Sequence, residues 1–219
     1  ITLYASPNPL QSLLLTILPF ANVGGAQFTT GVLASAAMFW TISVETQFYI
    51  VFPFLIRWLN EHKFRLLWGI ILLFTVIRLL AFLSGDVSMS SFGYFSIFGR
   101  IDEFIIGMIA AYVYLEKSAW IKKRPHLYLA ASVAALVLFL FVVNRVRHHF
   151  GHDAFENFYV ILPTLEGLIS AALIVTYVIV FHDKTSSLFS KAMAKLGELS
   201  YSLYLTHFMI LTLIVAKLN

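Results

Sequence analysis

The strongest constraint on this chain is the recurrence of long apolar runs separated by short, charged connections. Residues 66–83, 127–143 and 158–181 consist largely of Leu, Ile, Val, Phe, Ala and Tyr. A helix needs about 20 such residues to cross a bilayer, and in lipid every backbone amide must find its partner inside the protein. Helices satisfy both demands at once. Composition agrees, with 60% of residues hydrophobic and 12% charged, where a water-soluble domain carries about a quarter charged residues. The expected fold is an all-α, polytopic transmembrane helix bundle embedded in a lipid bilayer.

Taken in order, the apolar runs are 10–21, 34–59, 66–83, 92–115, 127–143, 158–181 and 196–216, about seven spans in all. The first is short and holds Pro19; 23–31, 84–91 and 144–157 read as loops. Basic residues gather in alternate connections: Arg57, Lys63 and Arg65; Lys117, Lys122, Lys123 and Arg124; Lys184, Lys191 and Lys195. That alternation is what the positive-inside rule asks of a cytoplasmic face, although Arg145 and Arg147 fall in a loop assigned to the other side. The net charge of +4 is therefore a matter of topology rather than of nucleic-acid binding. With no cysteine there are no disulfides, thiolate metal sites or cysteine nucleophiles. No internal repeat or soluble segment divides the chain, so 1–219 is expected to form one transmembrane domain.

The chemistry must lie with polar groups at membrane depth, because each is costly there without a partner or a wet cavity. Glu45 sits inside FWTISVETQFYIVFPFLIRW. Helical spacing stacks it with Tyr49, and Ser43 with Gln47. Such a carboxylate acts as a base or orients one, or else it neutralises an arginine such as Arg100. In GRIDEFIIGM, Arg100, Glu103 and Gly107 share one face. There Arg100 either clamps a phosphate or carboxylate, or pairs internally with Glu103 or Asp102. Glu166 is a further partner for Arg78 or Arg100. In the last run, Gly197, Ser200, Tyr204 and His207 form a polar stripe, with His207 either a base or a satisfied structural group. His148, His149, His152 and Asp153 have the composition of metal ligands but not the spacing, so no metal is expected. Nucleotide-binding and hydrolase-elbow motifs do not occur.

Three stretches resemble one family. WTISVETQFYIVFPFLI is similar to the W-S-L-[SA]-V-E-x-Q-F-Y-x-x-x-P pattern of the acyltransferase 3 family, with Thr41 in place of the common Ser. GRIDEFIIGM resembles that family's R-x-x-E-F-x-x-G element, and LGELSYSLYLTH its closing L-G-x-x-S-Y-x-x-Y-L-x-H. The resemblance implies a multi-pass O-acyltransferase of a cell membrane, that of a bacterial inner or plasma membrane. It would pass an acyl group, usually acetyl from acetyl-CoA as co-substrate with no bound cofactor, to a hydroxyl of a glycan or lipid-linked saccharide. It also implies catalytic roles for Glu45 and His207. Substrate or acyl-CoA contacts would fall to Trp40, Ser43, Gln47, Tyr49, Arg100, Glu103, Ser200, Tyr201 and Tyr204. Family members usually carry, in earlier helices, a basic residue with a histidine eleven positions on. No Arg or Lys here is so followed, and the chain is expected to lack those first helices. The competing expectation is a transporter or permease for an anionic or lipid-linked substrate, in which the same charges couple ions.

Overall fold

The computed structural model describes residues 39–62, 64–85, 89–149, 151–181 and 188–218. The expected span 10–21 and the loop 23–31 lie outside them. Among the described residues the chain is helical throughout, with α1 Phe39–His62, α2 Phe64–Ser84, α3 Met89–Phe95, α4 Ile97–Glu116, α5 Ala119–Lys122, α6 Pro125–His149, α7 Gly151–Phe158, α8 Leu162–Phe181 and α9 Leu188–Leu218. Among the described residues three helices are long and apolar enough to cross a membrane: Arg65–Ser84, Pro125–His149 and Leu162–Phe181. The helices α1, α4 and α9 have the length but carry charged groups within it, Glu45 in α1, Arg100, Asp102 and Glu103 in α4, Glu198 in α9.

Two compact units are distinguished. The larger, Phe48–Asp183, is built around α4, which packs against α2 on one side and α8 on the other, while α6 lies against α8. Its core joins Phe48 and Leu55 of α1, Leu67 and Ile71 of α2, and Ile101, Ile105, Ile106 and Met108 of α4. Phe48 stacks on Phe104 with ring centroids 4.3 Å apart. In contrast, α6 buries only 6% of its most apolar window, and Val137, Leu138, Leu140 and Phe141 are exposed on it. A helix apolar on all sides and so little covered has a surface suited to lipid.

The expected span 92–115 is two helices rather than one. Ser96 adopts an extended backbone (φ −109°, ψ 153°), and its hydroxyl accepts from the Gly99 amide, capping α4. The loop expected at 144–157 is corrected likewise: α6 continues to His149 and α7 occupies Gly151–Phe158. The chain can turn sharply at Ser96 because Gly99 lies against the backbone of Gly93, where a Cβ would collide with the Gly93 carbonyl and Cα. A second close approach is at Gly167, whose added Cβ would stand 3.0 Å from Ile106 Cδ1 and 3.1 Å from Glu103 Cα. Its missing side chain lets α8 lie tight on α4.

The smaller unit comprises Ile1–Gln47 and Lys184–Asn219, of which the start of α1 and the whole of α9 are described. Here Thr41 Oγ1 and the Tyr204 hydroxyl are 2.8 Å apart in a hydrogen bond. It ties α1 to α9.

Candidate active site

The first group of polar residues lies in the smaller unit. Tyr204 and Thr41 come from sequence stretches 163 positions apart, and each has a candidate catalytic residue one turn away on the same helical face: Glu45 at i+4 from Thr41, His207 at i+3 from Tyr204. The Tyr204 and His207 rings have centroids 5.8 Å apart. Glu45 and His207 are both exposed. Nδ1 of His207 lies 3.1 Å from the Leu203 carbonyl oxygen. A carbonyl only accepts, so Nδ1 carries the hydrogen, and the neutral imidazole keeps its lone pair on Nε2. The ring is thus held in the tautomer that a proton acceptor at Nε2 requires.

The other residues of these motifs are less uniform in their setting. Ser43 is 4% exposed and Gln47 half-buried, whereas Tyr49 is exposed. Ser200 donates to the Gly197 carbonyl of its own helix at 2.7 Å, which leaves its oxygen free to accept. The side chains of Trp40 and Tyr201 lie outside the described residues.

A second group lies in the larger unit, on α4 and α8. Arg100 Nη1 pairs with Glu103 and, at 3.2 Å, with Glu166 Oε2. The guanidinium also lies over the Tyr94 ring, 4.8 Å from its centroid. Of the two alternatives for Arg100, the internal pair with Glu103 is present, and Glu166 is its second carboxylate. Both pairs use Nη1, so a phosphate reaching this guanidinium would stand beside two carboxylates. Glu103 and Glu166 also line a cavity of about 380 Å³ between α4, α6 and α8, together with Gly107, Leu136, Phe139 and Ser170. Of the expected shared face, Glu103 and Gly107 line the cavity, and Arg100 is joined to Glu103 by its ion pair.

Sequence reasoning missed a third group. Arg78 and Asp102 are both fully buried and pair at 2.8 Å. Arg78 also donates to the Val160 carbonyl at 2.9 Å, to Thr75 at 3.2 Å and to Thr164 at 3.0 Å, and the Thr164 hydroxyl donates to Asp102. The sign was in the spacing: Asp102 lies two positions from Arg100, on another face of α4, and so needed a cation of its own. Arg78 is the lone charge in its apolar run. This cluster fastens α2, α4 and the start of α8, and its partners are internal. Of the histidine group, His149 Nε2 lies 2.8 Å from Arg145 Nη1; the side chains of His152 and Asp153 lie outside the described residues.

A family model described as an acyltransferase domain matches residues 4–219. No curated protein and no solved structure matches the chain.

Proposed function

Because the chain belongs to the acyltransferase 3 family, we propose that it moves an acyl group, acetyl in the first instance, from acyl-CoA to a hydroxyl of a cell-surface glycan or lipid-linked saccharide, acting as a multi-pass protein of a cell membrane. Beyond the family itself, the observation that carries this reading is the Thr41–Tyr204 hydrogen bond. It joins the first and last of the three motifs and sets Glu45 and His207 each one turn from the tie.

The reaction needs a base for the acceptor hydroxyl and a route for the proton to the leaving sulfur. In the proposed sequence His207 Nε2 takes the hydroxyl proton, as its Nδ1 contact with Leu203 permits. The acceptor oxygen bonds to the thioester carbonyl carbon, the carbon–sulfur bond breaks, and the coenzyme thiolate collects the proton from His207. Glu45 stabilises the imidazolium in between, and the carboxylate and ring would contribute on the order of 10²–10⁴-fold as an acid–base pair. Ser43, Gln47, Tyr49, Ser200, Tyr201 and Trp40 contact acceptor or acyl-CoA, as the motifs imply. Arg100, which the motif also assigns to substrate or acyl-CoA contact, is balanced in the larger unit by Glu103 and Glu166.

The test is to supply membranes containing the protein with acetyl-CoA labelled in the acetyl group, together with glycan acceptors. Label in an alkali-labile ester on the glycan is the expected result. Movement of an unmodified substrate across sealed vesicles, with no covalent product, would instead establish a transporter.

A further inference from the structure

We propose that the cavity between α4, α6 and α8 is a binding site for an uncharged, hydroxyl-bearing amphiphile of the bilayer; Glu103, which the motif assigns to substrate contact, lines it, while neither Glu45 nor His207 does. The cavity measures about 380 Å³, within the range of about 300–1,000 Å³ that small-molecule sites occupy. Most of its wall is apolar, from Leu136, Phe139, Ile169 and Ile174, and α6, which supplies the first two, is the least covered of the three helices able to cross a membrane. A hydrocarbon chain is the natural filling of such a wall.

The polar end decides the head group. Its side chains are Glu103, Glu166 and Ser170, while Arg100 is not part of the lining. One guanidinium faces two carboxylates, so the cluster carries no net positive charge whether or not Glu103 holds a proton. The wall therefore offers oxygen acceptors and no cation. Hydroxyl groups donate to those oxygens, whereas a phosphate or sulfate head would meet carboxylates at close range, a repulsion that low dielectric enlarges. Gly107 leaves the cavity open: nothing lies within 4 Å of where its Cβ would be.

The inference is read by binding alone and stands or falls apart from catalysis. In lipid nanodiscs the protein would be exposed to a photoreactive long-chain alkyl glucoside and to an alkyl phosphate of the same chain length and photoreactive group. The glucoside should label peptides of α4, α6 and α8, about tenfold more than the phosphate does, which corresponds to 1.4 kcal/mol. Gly107→Leu should cut glucoside labelling about tenfold by filling the space, while Gly107→Ala leaves most of it. Glu166→Gln should narrow the preference between the two head groups. Equal labelling by both probes, label confined to other helices, or labelling indifferent to Gly107→Leu would each overturn the proposal. Should Gly107→Leu fail to accumulate, the map of labelled peptides and the head-group ratio in the unaltered protein decide the matter.

Discussion

Asp102→Ala should be among the most damaging single changes to this fold. Arg78 and Asp102 are each 0% exposed and 2.8 Å apart, and Thr164 supplies a further hydrogen bond to the carboxylate. Deleting the carboxylate leaves a guanidinium in the interior with only neutral partners: the carbonyls of Val160, Phe98 and Gly99 and the hydroxyls of Thr75 and Thr164. Stranding one member of a buried pair costs about 3–5 kcal/mol. The exposed pair Lys195–Glu198, 2.7 Å apart with both side chains more than 65% exposed, is the control. Glu198→Ala should cost at most about 0.5 kcal/mol. Removing both buried charges as Arg78→Met/Asp102→Leu should cost well below the sum of the two single changes, because no ion is left without a counter-charge. Reversible unfolding by SDS titration in mixed micelles, followed by tryptophan fluorescence, measures the unaltered protein, these variants and the single changes Arg78→Met and Asp102→Leu that complete the cycle. An Asp102→Ala variant within about 1 kcal/mol of the unaltered protein would refute the reasoning, as would strict additivity of the pair.

Three further outcomes follow from the same geometry. Gly99→Ala should lower the thermal midpoint in detergent markedly, since its Cβ would meet the Gly93 backbone, whereas Gly107→Ala should leave the midpoint unchanged or raise it, alanine being about 1 kcal/mol the better helix former. Gly167→Ala should part α8 from α4 by a few tenths of an ångström, because Ile106 and the Glu103 backbone already stand 3.0 and 3.1 Å from the new atom; a drop in the midpoint that Ile106→Val partly restores would show it. Thr41→Val and Tyr204→Phe should couple by about 0.5–1.5 kcal/mol in a double-mutant cycle, the worth of one hydrogen bond; a coupling of zero would mean that the contact at 2.8 Å does not hold α1 to α9.

Much of the helical architecture was legible because lipid leaves few choices. The apolar runs 66–83, 127–143 and 158–181 became α2, α6 and α8 within a few residues, since an unbroken apolar run has one stable backbone in a bilayer. Hydropathy failed where a single residue made the decision. Ser96 breaks an otherwise apolar run by capping the next helix, and it has no acidic residue at its third helical position to mark it as a capping box. The segment around Gly151 reads as polar loop for the opposite reason, because charge and histidine hide a short helix.

The ionic groups were half legible. Spacing on α4 placed Arg100 with Glu103, and depth alone suggested Glu166 as another partner, because an arginine in an apolar environment collects what carboxylates it can reach. Which acid Arg78 would take was not legible. Spacing turns Asp102 away from Arg100, but which cation reaches it depends on how α2, α4 and α8 pack, including the close approach of α8 to α4 at Gly167. The tie between Thr41 and Tyr204 was equally hidden, being a contact between the two ends of the chain, although both residues stand in recognisable motifs.

Acyl transfer in the Glu45→Gln protein is the most direct test of the central claim. Glutamine keeps the size of the side chain and removes the charge that would stabilise His207 as an imidazolium. Membranes carrying each protein at equal abundance, given acetyl-labelled acetyl-CoA and a glycan acceptor, should show esterified label with the unaltered protein and a loss of 10²-fold or more, on the order of one acid–base contribution, with Glu45→Gln. Transfer by the variant at close to the unaltered rate would contradict the account and remove Glu45 from the chemistry.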